Sequence, residues 1–241
     1  MLEYRIIENY ITPNKHSRPQ KPLKNIKGIV IHWVANPKSS AKSNRDYFEN
    51  RKYGKTGYGS AHEIIDLNGD IILCIPDNEI AYHVGSKIYT KEALERLSSY
   101  PNNCTYGIEC CHLDWEGNMT KETYNSLVER LADLCLKYNL DPLKNIWLHK
   151  EVVGWKDCHR YFVRNSLAYE KLKEEVKMKL EQKKGDKKVL KDWQEKLGKE
   201  SLDKLHAKGI INNPEQWKQT LAENVPQWLF WTIISRIIDK E

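Results

Sequence analysis

His149 and Cys158 stand nine residues apart in LHKEVVGWKDC (148–158), with Lys156 between them. Imidazole nitrogen and thiolate are the usual partners of zinc, so the two suit a metal site. On a helix that separation turns the side chains to opposite faces, where they cannot share an ion. At a strand end followed by a returning loop they converge, and Gly154 with Lys156-Asp157 supplies the loop character. Taken alone, the two residues fit an ordinary strand end and turn equally well. His32 adds a third donor, because it is the one imidazole in the apolar run GIVIHWV (28–34). In isolation it reads as a core histidine bonded to backbone or to a carboxylate, since a buried polar group needs a partner. With His149 and Cys158 it completes the three-ligand set of a catalytic zinc, whose fourth position holds a water of pKa about 7.

The elements that must position these residues follow from periodicity. GIVIHWV predicts a buried strand, and TYGIECC (105–111) and NIWLH (145–149) predict two more. SAHEIIDLNGDIILCIP (60–76) predicts a hairpin about Asn68-Gly69. Ser39 to Lys52 has helical character. Thr120 to Tyr138 carries Tyr124, Leu127, Val128, Leu131, Cys135 and Tyr138 at helical spacing, with Thr120 as N-cap. Leu172, Val176 and Leu180 predict a further helix over 167–180. Strands interspersed with helices predict an α/β fold, a sheet covered by helices. The polar stretch EQKKGDKK (181–188) predicts a linker or an exposed helix end, and 189–241, with Trp193, Trp217, Trp228 and Trp231, a separate module of about four short helices punctuated by Gly198, Gly209, Asn212-Asn213-Pro214 and Pro226.

Bulk properties narrow the classes. The chain has 241 residues, 40% hydrophobic and 30% charged, enough for one sizeable domain and a small second one. No apolar run approaches the roughly 20 residues that span a bilayer, so no membrane insertion is expected. The first residues, MLEYRIIENYITPNKH, do not read as a secretory signal. Six cysteines without a CxxC pair predict reduced, buried thiols. The net charge of +6 favours polyanions such as nucleic acid or anionic wall polymers, although lysines interleaved with glutamates on helix faces account for it as well. No nucleic-acid-binding motif accompanies the charge.

Four motifs, IVIHWVANP, SAHEIIDLNGDIILCIPDNEIAYHVG, YGIEC and LHKEVVGWKDC, occur in the order found in the zinc-dependent N-acetylmuramoyl-L-alanine amidases, a family that includes endolysins, autolysins and peptidoglycan recognition proteins. The chain resembles that family over residues 1–175. The resemblance implies a mixed central β-sheet flanked by helices, with a zinc site in a surface groove. It implies hydrolysis, by zinc-activated water, of the amide between N-acetylmuramic acid and L-alanine in bacterial peptidoglycan. By position, His32, His149 and Cys158 match the zinc ligands, Lys156 a lysine that stabilises charge on the scissile carbonyl, and Glu109 a glutamate that handles protons. Read from the residues alone, Glu109 also fits a solvent-facing position on a half-buried strand.

His83 in the motif IAYHVG is expected to line the substrate groove, or to replace Cys158 as ligand, and Trp33 to shape the glycan-binding part. Trp33 and Trp115 also fit a core, and His62, His112 and His159 fit structural roles. Two departures stand out. Ala61 occupies a place where some members carry a catalytic tyrosine, and Trp155 adds one residue between His149 and Cys158.

The resulting organisation is a zinc amidase domain at 1–178, a linker at 179–188 and a small all-helical C-terminal domain at 189–241, expected to tether the chain to the cell wall through anionic wall polymers, with oligomerisation or packing on the catalytic domain as the alternatives. Such a protein would be a phage or prophage endolysin, made in the host cytoplasm without a signal peptide and acting on the wall after release. The alternative is a module that binds peptidoglycan without cutting it.

Overall fold

The computed structural model describes residues 4–186, 192–219, 221 and 227–238. The chain divides into two compact units, Met1–Glu181 and Gln182–Glu241. In the first unit β1 (Ile6–Glu8), β2 (Gly28–Trp33), β3 (Glu63–Ile65), β4 (Ile71–Leu73), β5 (Thr105–Cys110) and β6 (Ile146–Leu148) form one sheet in the order β1-β4-β3-β5-β2-β6. Every neighbouring pair is parallel except β3–β4, which is the hairpin. The helices of this unit are α1 (Ala41–Asn50), α2 (Lys91–Arg96), α3 (Lys121–Tyr138), α4 (Pro142–Asn145), α5 (His149–Val153), α6 (Arg160–Arg164) and α7 (Ser166–Asp186). The sheet is thus mixed and flanked by helices, as expected.

β2 is buried along its whole length, with β5 on one side and β6 on the other. A strand covered on both faces needs an apolar residue at nearly every position, which is why GIVIHW does not alternate. On one face Ile29, Ile31, Tyr106 and Ile108 pack with Leu127 and Leu131 of α3 and Leu172 and Val176 of α7. On the other, Val30 joins Val84, Leu97, Trp147 and Val152, and Ile64 joins Ile72 and Ala41 of α1. His32 and Glu109 share this second face, because side chains alternate along a strand and the two residues are register partners.

α3 begins where its sequence says it should. The Thr120 hydroxyl accepts the Thr123 N–H at 3.0 Å, and Asn139 ends the helix in the left-handed region at φ 53°. Gly69 turns the hairpin at φ +86°, and a Cβ there would meet Ser126 Oγ at 2.7 Å. Beneath the sheet, Glu63 is fully buried. Its carboxylate accepts from Arg130 Nε at 2.9 Å and from the Tyr106 hydroxyl at 2.8 Å. All six cysteines are buried, and none forms a disulfide.

α7 runs to Asp186, so of the two readings of 181–188 the helix end holds that far; its Glu and Lys residues are good helix formers in water. The segment after 191 forms three helices among the described residues, α8 (Asp192–Ala207), α9 (Pro214–Gln219) and α10 (Gln227–Ile238), rather than about four. Gly198 lies inside α8 instead of breaking it, and a Cβ there would come within 2.8 Å of Leu221. Pro214 opens α9, where its missing N–H costs nothing. Within this second unit Lys218 reaches Asp203 at 2.8 Å, joining α9 to α8. No helix among the described residues is long and apolar enough to cross a membrane.

Removing the partner of the buried Glu63 gives a direct check on this core. Arg130→Leu is expected to lower unfolding stability in urea by about 3–5 kcal/mol, because it leaves a carboxylate buried without a cation. The double variant Glu63→Leu/Arg130→Leu is expected to recover most of that loss.

Candidate metal centre

Three separate elements deliver the site. His32 comes from the end of β2, where the apolar run carries it into the interior at 2% exposure. His149 does not end a strand, as its sequence suggested, but opens α5 directly after β6. That sharp junction is held by Glu151, whose carboxylate accepts the Leu148 N–H at 2.7 Å, in the manner of a capping box. The Tyr169 hydroxyl of α7 lies 2.9 Å from both Glu151 Oε2 and the Ile146 carbonyl. Gly154 then ends α5 at φ +82°, and the chain turns back so that the Lys150 N–H donates to the Cys158 carbonyl at 2.9 Å. Asp157 ties this loop down by accepting from Arg160 Nε at 3.0 Å and from Arg164 at 3.2 Å.

The outcome is a buried cluster in which donor atoms of His32, His149 and Cys158 all lie within 4.8 Å of one another. Cys158 Sγ is 3.7 Å from His32 Nδ1, close to the edge of about 3.5 Å that a tetrahedral zinc shell requires between nitrogen and sulfur ligands. The donors are chemically right as well. Two imidazoles and a thiol in a dry setting form a borderline-soft set that selects zinc over magnesium or calcium. His83 is not in this cluster; it sits behind His32, with His83 Nδ1 3.0 Å from His32 Nε2.

Burial dominates the electrostatics. It pushes His32 well below the usual imidazole value, with His149 and His83 adding to the effect. It lowers His149 to about 3, helped by Lys156. Both rings are therefore neutral and able to ligate. Burial raises the Cys158 thiol, with Glu109 adding to the rise and Lys156 opposing it. A cation would reverse that shift, since a coordinating thiol is deprotonated outright. Burial also raises Glu109 to about 8, with Lys156 pulling it back. Glu109 is half-buried, the one partly exposed residue of β5; it faces the groove rather than open solvent, and its Oε2 is buried there without a hydrogen-bond partner.

The cluster opens into a groove of about 810 Å³ lined in part by Glu109, Lys156, Lys21, Arg51, Tyr58 and Tyr82. Trp33 borders it but is only 8% exposed, its ring held 4.7 Å from His112 and 4.6 Å from the Arg160 guanidinium. The extra residue, Trp155, points outward at 63% exposure, and Lys156 still lines the groove. Arg51 had drawn no attention in the sequence. Its guanidinium reaches the Tyr47 hydroxyl at 3.0 Å and the Thr56 carbonyl at 2.6 Å, and so shapes one wall. A cluster of tyrosines at 47, 53 and 58 was the available signal. His62 is structural: its Nδ1 accepts the Gly107 N–H at 2.9 Å, and its ring stacks on Tyr106.

A mixed sheet with a His–His–Cys cluster that could hold a metal ion, at the floor of a groove bearing Lys21, Arg51 and Lys156, defines an α/β domain with a candidate metal centre. Residues 22–161 match the N-acetylmuramoyl-L-alanine amidase family, and the chain belongs to that family. It is 32% identical over 178 residues to the N-acetylmuramoyl-L-alanine amidase BlyA of Bacillus subtilis (strain 168), covering 71% of this chain and 47% of that protein. It is 33% identical over 162 residues to a probable N-acetylmuramoyl-L-alanine amidase of Bacillus licheniformis, covering 67% and 44%. The chain thus spans about half the length of the curated relatives it matches. Among solved structures, the fold is similar to the PlyG catalytic domain (18% identity, TM-score 0.58, 73% of this chain and 95% of that one). It is also similar to the Staphylococcus aureus hydrolase AmiA (20% identity, TM-score 0.57, 77% and 87%).

The opposed shifts predict a pH profile for metal-free stability. Between pH 4.5 and 8 folded Glu109 keeps a proton that the unfolded chain releases, so its contribution is lost as pH rises toward 8. The depressed histidines, among them His149, His62 and His159, stay neutral when folded but charge when unfolded, so stability falls as pH drops below 6.5. Urea melts of metal-free protein are expected to show a maximum between these limits. Glu109→Gln is expected to remove the decline between pH 6.5 and 8 and to steepen the rise between pH 4.5 and 6.5 by one proton.

Proposed function

We propose that the chain is a peptidoglycan hydrolase that cleaves the amide between N-acetylmuramic acid and L-alanine, with zinc held by His32, His149 and Cys158. The observation that carries this reading is the juxtaposition, in one groove, of that buried donor set with an orphaned carboxyl at Glu109 and a cationic Lys156. Membership of the amidase family supplies the substrate class.

Zinc, when bound, supplies Lewis acidity at the scissile carbonyl. Lys156 places a fixed positive charge where negative charge develops on the carbonyl oxygen. Glu109 moves the proton. Its carboxylate, favoured by Lys156 and by a nearby cation, takes a proton from the attacking water, and the resulting carboxylic acid returns it to the departing amide nitrogen. The buried position that raises Glu109 makes it a willing acceptor first and a usable acid afterwards. With Ala61 offering no hydroxyl, Glu109 is the group for this work. Trp33 and His83, expected to contact substrate, would do so only along their limited exposed edges.

We infer from its separate, tryptophan-rich character that the second unit tethers the enzyme to the wall, through anionic polymers. Together with the family, this favours the role of a phage or prophage endolysin. No observation favours a binding module that does not cut.

Release of new amino groups from purified peptidoglycan, with zinc measured in the same samples, tests the activity. Wild type is expected to hold one zinc and to release L-alanine amino termini. Cys158→Ala is expected to lose both. Glu109→Gln is expected to keep zinc while kcat falls by about 10²–10⁴, and Lys156→Met to keep zinc with a loss of about 10²–10³. Wild type that holds zinc and releases no amines would establish the non-cutting module instead.

A further inference from the structure

The hydrogen bonds behind His32 admit one arrangement of protons. The Thr105 hydroxyl lies 2.8 Å from the Pro101 carbonyl, which can only accept, so the hydroxyl proton is committed there. The Thr105 oxygen, 3.1 Å from His83 Nε2, is then an acceptor toward that nitrogen. The Thr105 carbonyl, 3.3 Å from the same nitrogen, is a second one. A bare Nε2 would face two oxygen lone pairs with no proton between them. The proton of a neutral His83 therefore sits on Nε2, and Nδ1 is left to accept. His83 Nδ1 is 3.0 Å from His32 Nε2, so the proton of His32 must occupy Nε2. What remains free is His32 Nδ1, the atom that faces Cys158 Sγ.

The place for His83 is built as tightly as its protons are. Asn102 Oδ1 accepts the N–H of His83 at 3.1 Å and of Val84 at 2.9 Å, which pins the backbone. Position 107 is glycine, and a Cβ there would lie 2.5 Å from His83 Cγ, so the ring rests against bare β5 backbone. Thr105, at the start of the same strand, fixes the proton, while Glu109 near its end is the register partner of His32.

We propose that His83 is a positioning residue for the metal centre: through Thr105 it locks His32 in the tautomer that presents Nδ1 to the ion. The inference rests on the His32–His149–Cys158 reading. Its physical content is that the ligand need not change tautomer or ring orientation when the ion arrives, which is how outer hydrogen bonds strengthen a metal site. The orienting group is a neutral imidazole rather than a carboxylate. It therefore adds no negative charge to a centre that already receives a thiolate from Cys158, and it leaves more of the cation's charge to act on substrate.

Two measurements on the full chain test this. The first is the long-range ¹H–¹⁵N spectrum of metal-free wild type, expected to show His32 as a single Nε2–H tautomer; an Nδ1–H His32 overturns the proposal. The second is the zinc dissociation constant from chelator competition, with folding checked by circular dichroism. His83→Phe keeps a ring without an acceptor and is expected to weaken zinc by about 10- to 100-fold. His83→Asn returns an acceptor oxygen near the Nδ1 position and is expected to recover most of that loss. A folded His83→Phe that holds zinc as tightly as wild type overturns the proposal. Wild type that binds no zinc would instead sink the metal reading itself, and the tautomer spectrum would still decide the His83–His32 bond.

Discussion

β2 lies between β5 and β6, in parallel register with both, and everything at the site is measured from that pairing. Backbone hydrogen bonds set His32 beside Glu109, and the strand alternation sends both side chains to one face. A slip of one residue would turn His32 toward α3 and α7 and bury a donor among leucines. The cost of burying polar groups is therefore concentrated at one end of the central strands, where His32, His83, His149, Cys158 and Glu109 share one desolvated space. The apolar contacts of Ile29, Ile31, Tyr106 and Ile108 with the helices below hold the register that permits it.

That desolvation gives the site its chemical character. It holds His149 well below and Glu109 well above their ordinary values, so the imidazole and the carboxyl both favour their neutral forms. Lys156 is the one ammonium beside these groups that lines the groove, and it acts on both ends of the balance. It lowers His149 further and pulls Glu109 back toward ionisation. Orientation comes from a different set of contacts: Glu151 with Tyr169 for His149, Asp157 with two arginines for Cys158, and Thr105 with His83 for His32. Each ligand thus has its own support from a different part of the chain.

Much of the fold was legible. The run GIVIHW, the Asn68-Gly69 turn and the Thr120 cap each carry a local physical reason for their structure, and each forms as expected. β1 escaped notice because all three of its residues are exposed at the sheet edge, where burial imposes no pattern. α2, α4, α5 and α6 are too short for a helical period to emerge. The strand-to-helix turn at His149 was invisible for a related reason: NIWLH is apolar enough for a strand, and only the bond from Leu148 to Glu151 ends it. α7 continues to Asp186 because a stretch of Glu and Lys serves a helix end as well as a linker, and local composition does not choose between them.

The sequence by itself determined which donors exist and that two fall at the ends of predicted strands and the third on a returning loop, because residue type and periodicity are local properties. It also determined the family, through four motifs in order. Only the tertiary structure decided that Glu109 faces the groove, that His83 stands behind His32 and outside the His32–His149–Cys158 cluster, and that Trp155 can be extruded while Lys156 stays in the groove. The reason is that protonation, ligand orientation and burial depend on neighbours brought together from distant positions. Thr105 acts on His32 from 73 residues away in the chain, and no pattern along the sequence contains that hydrogen bond.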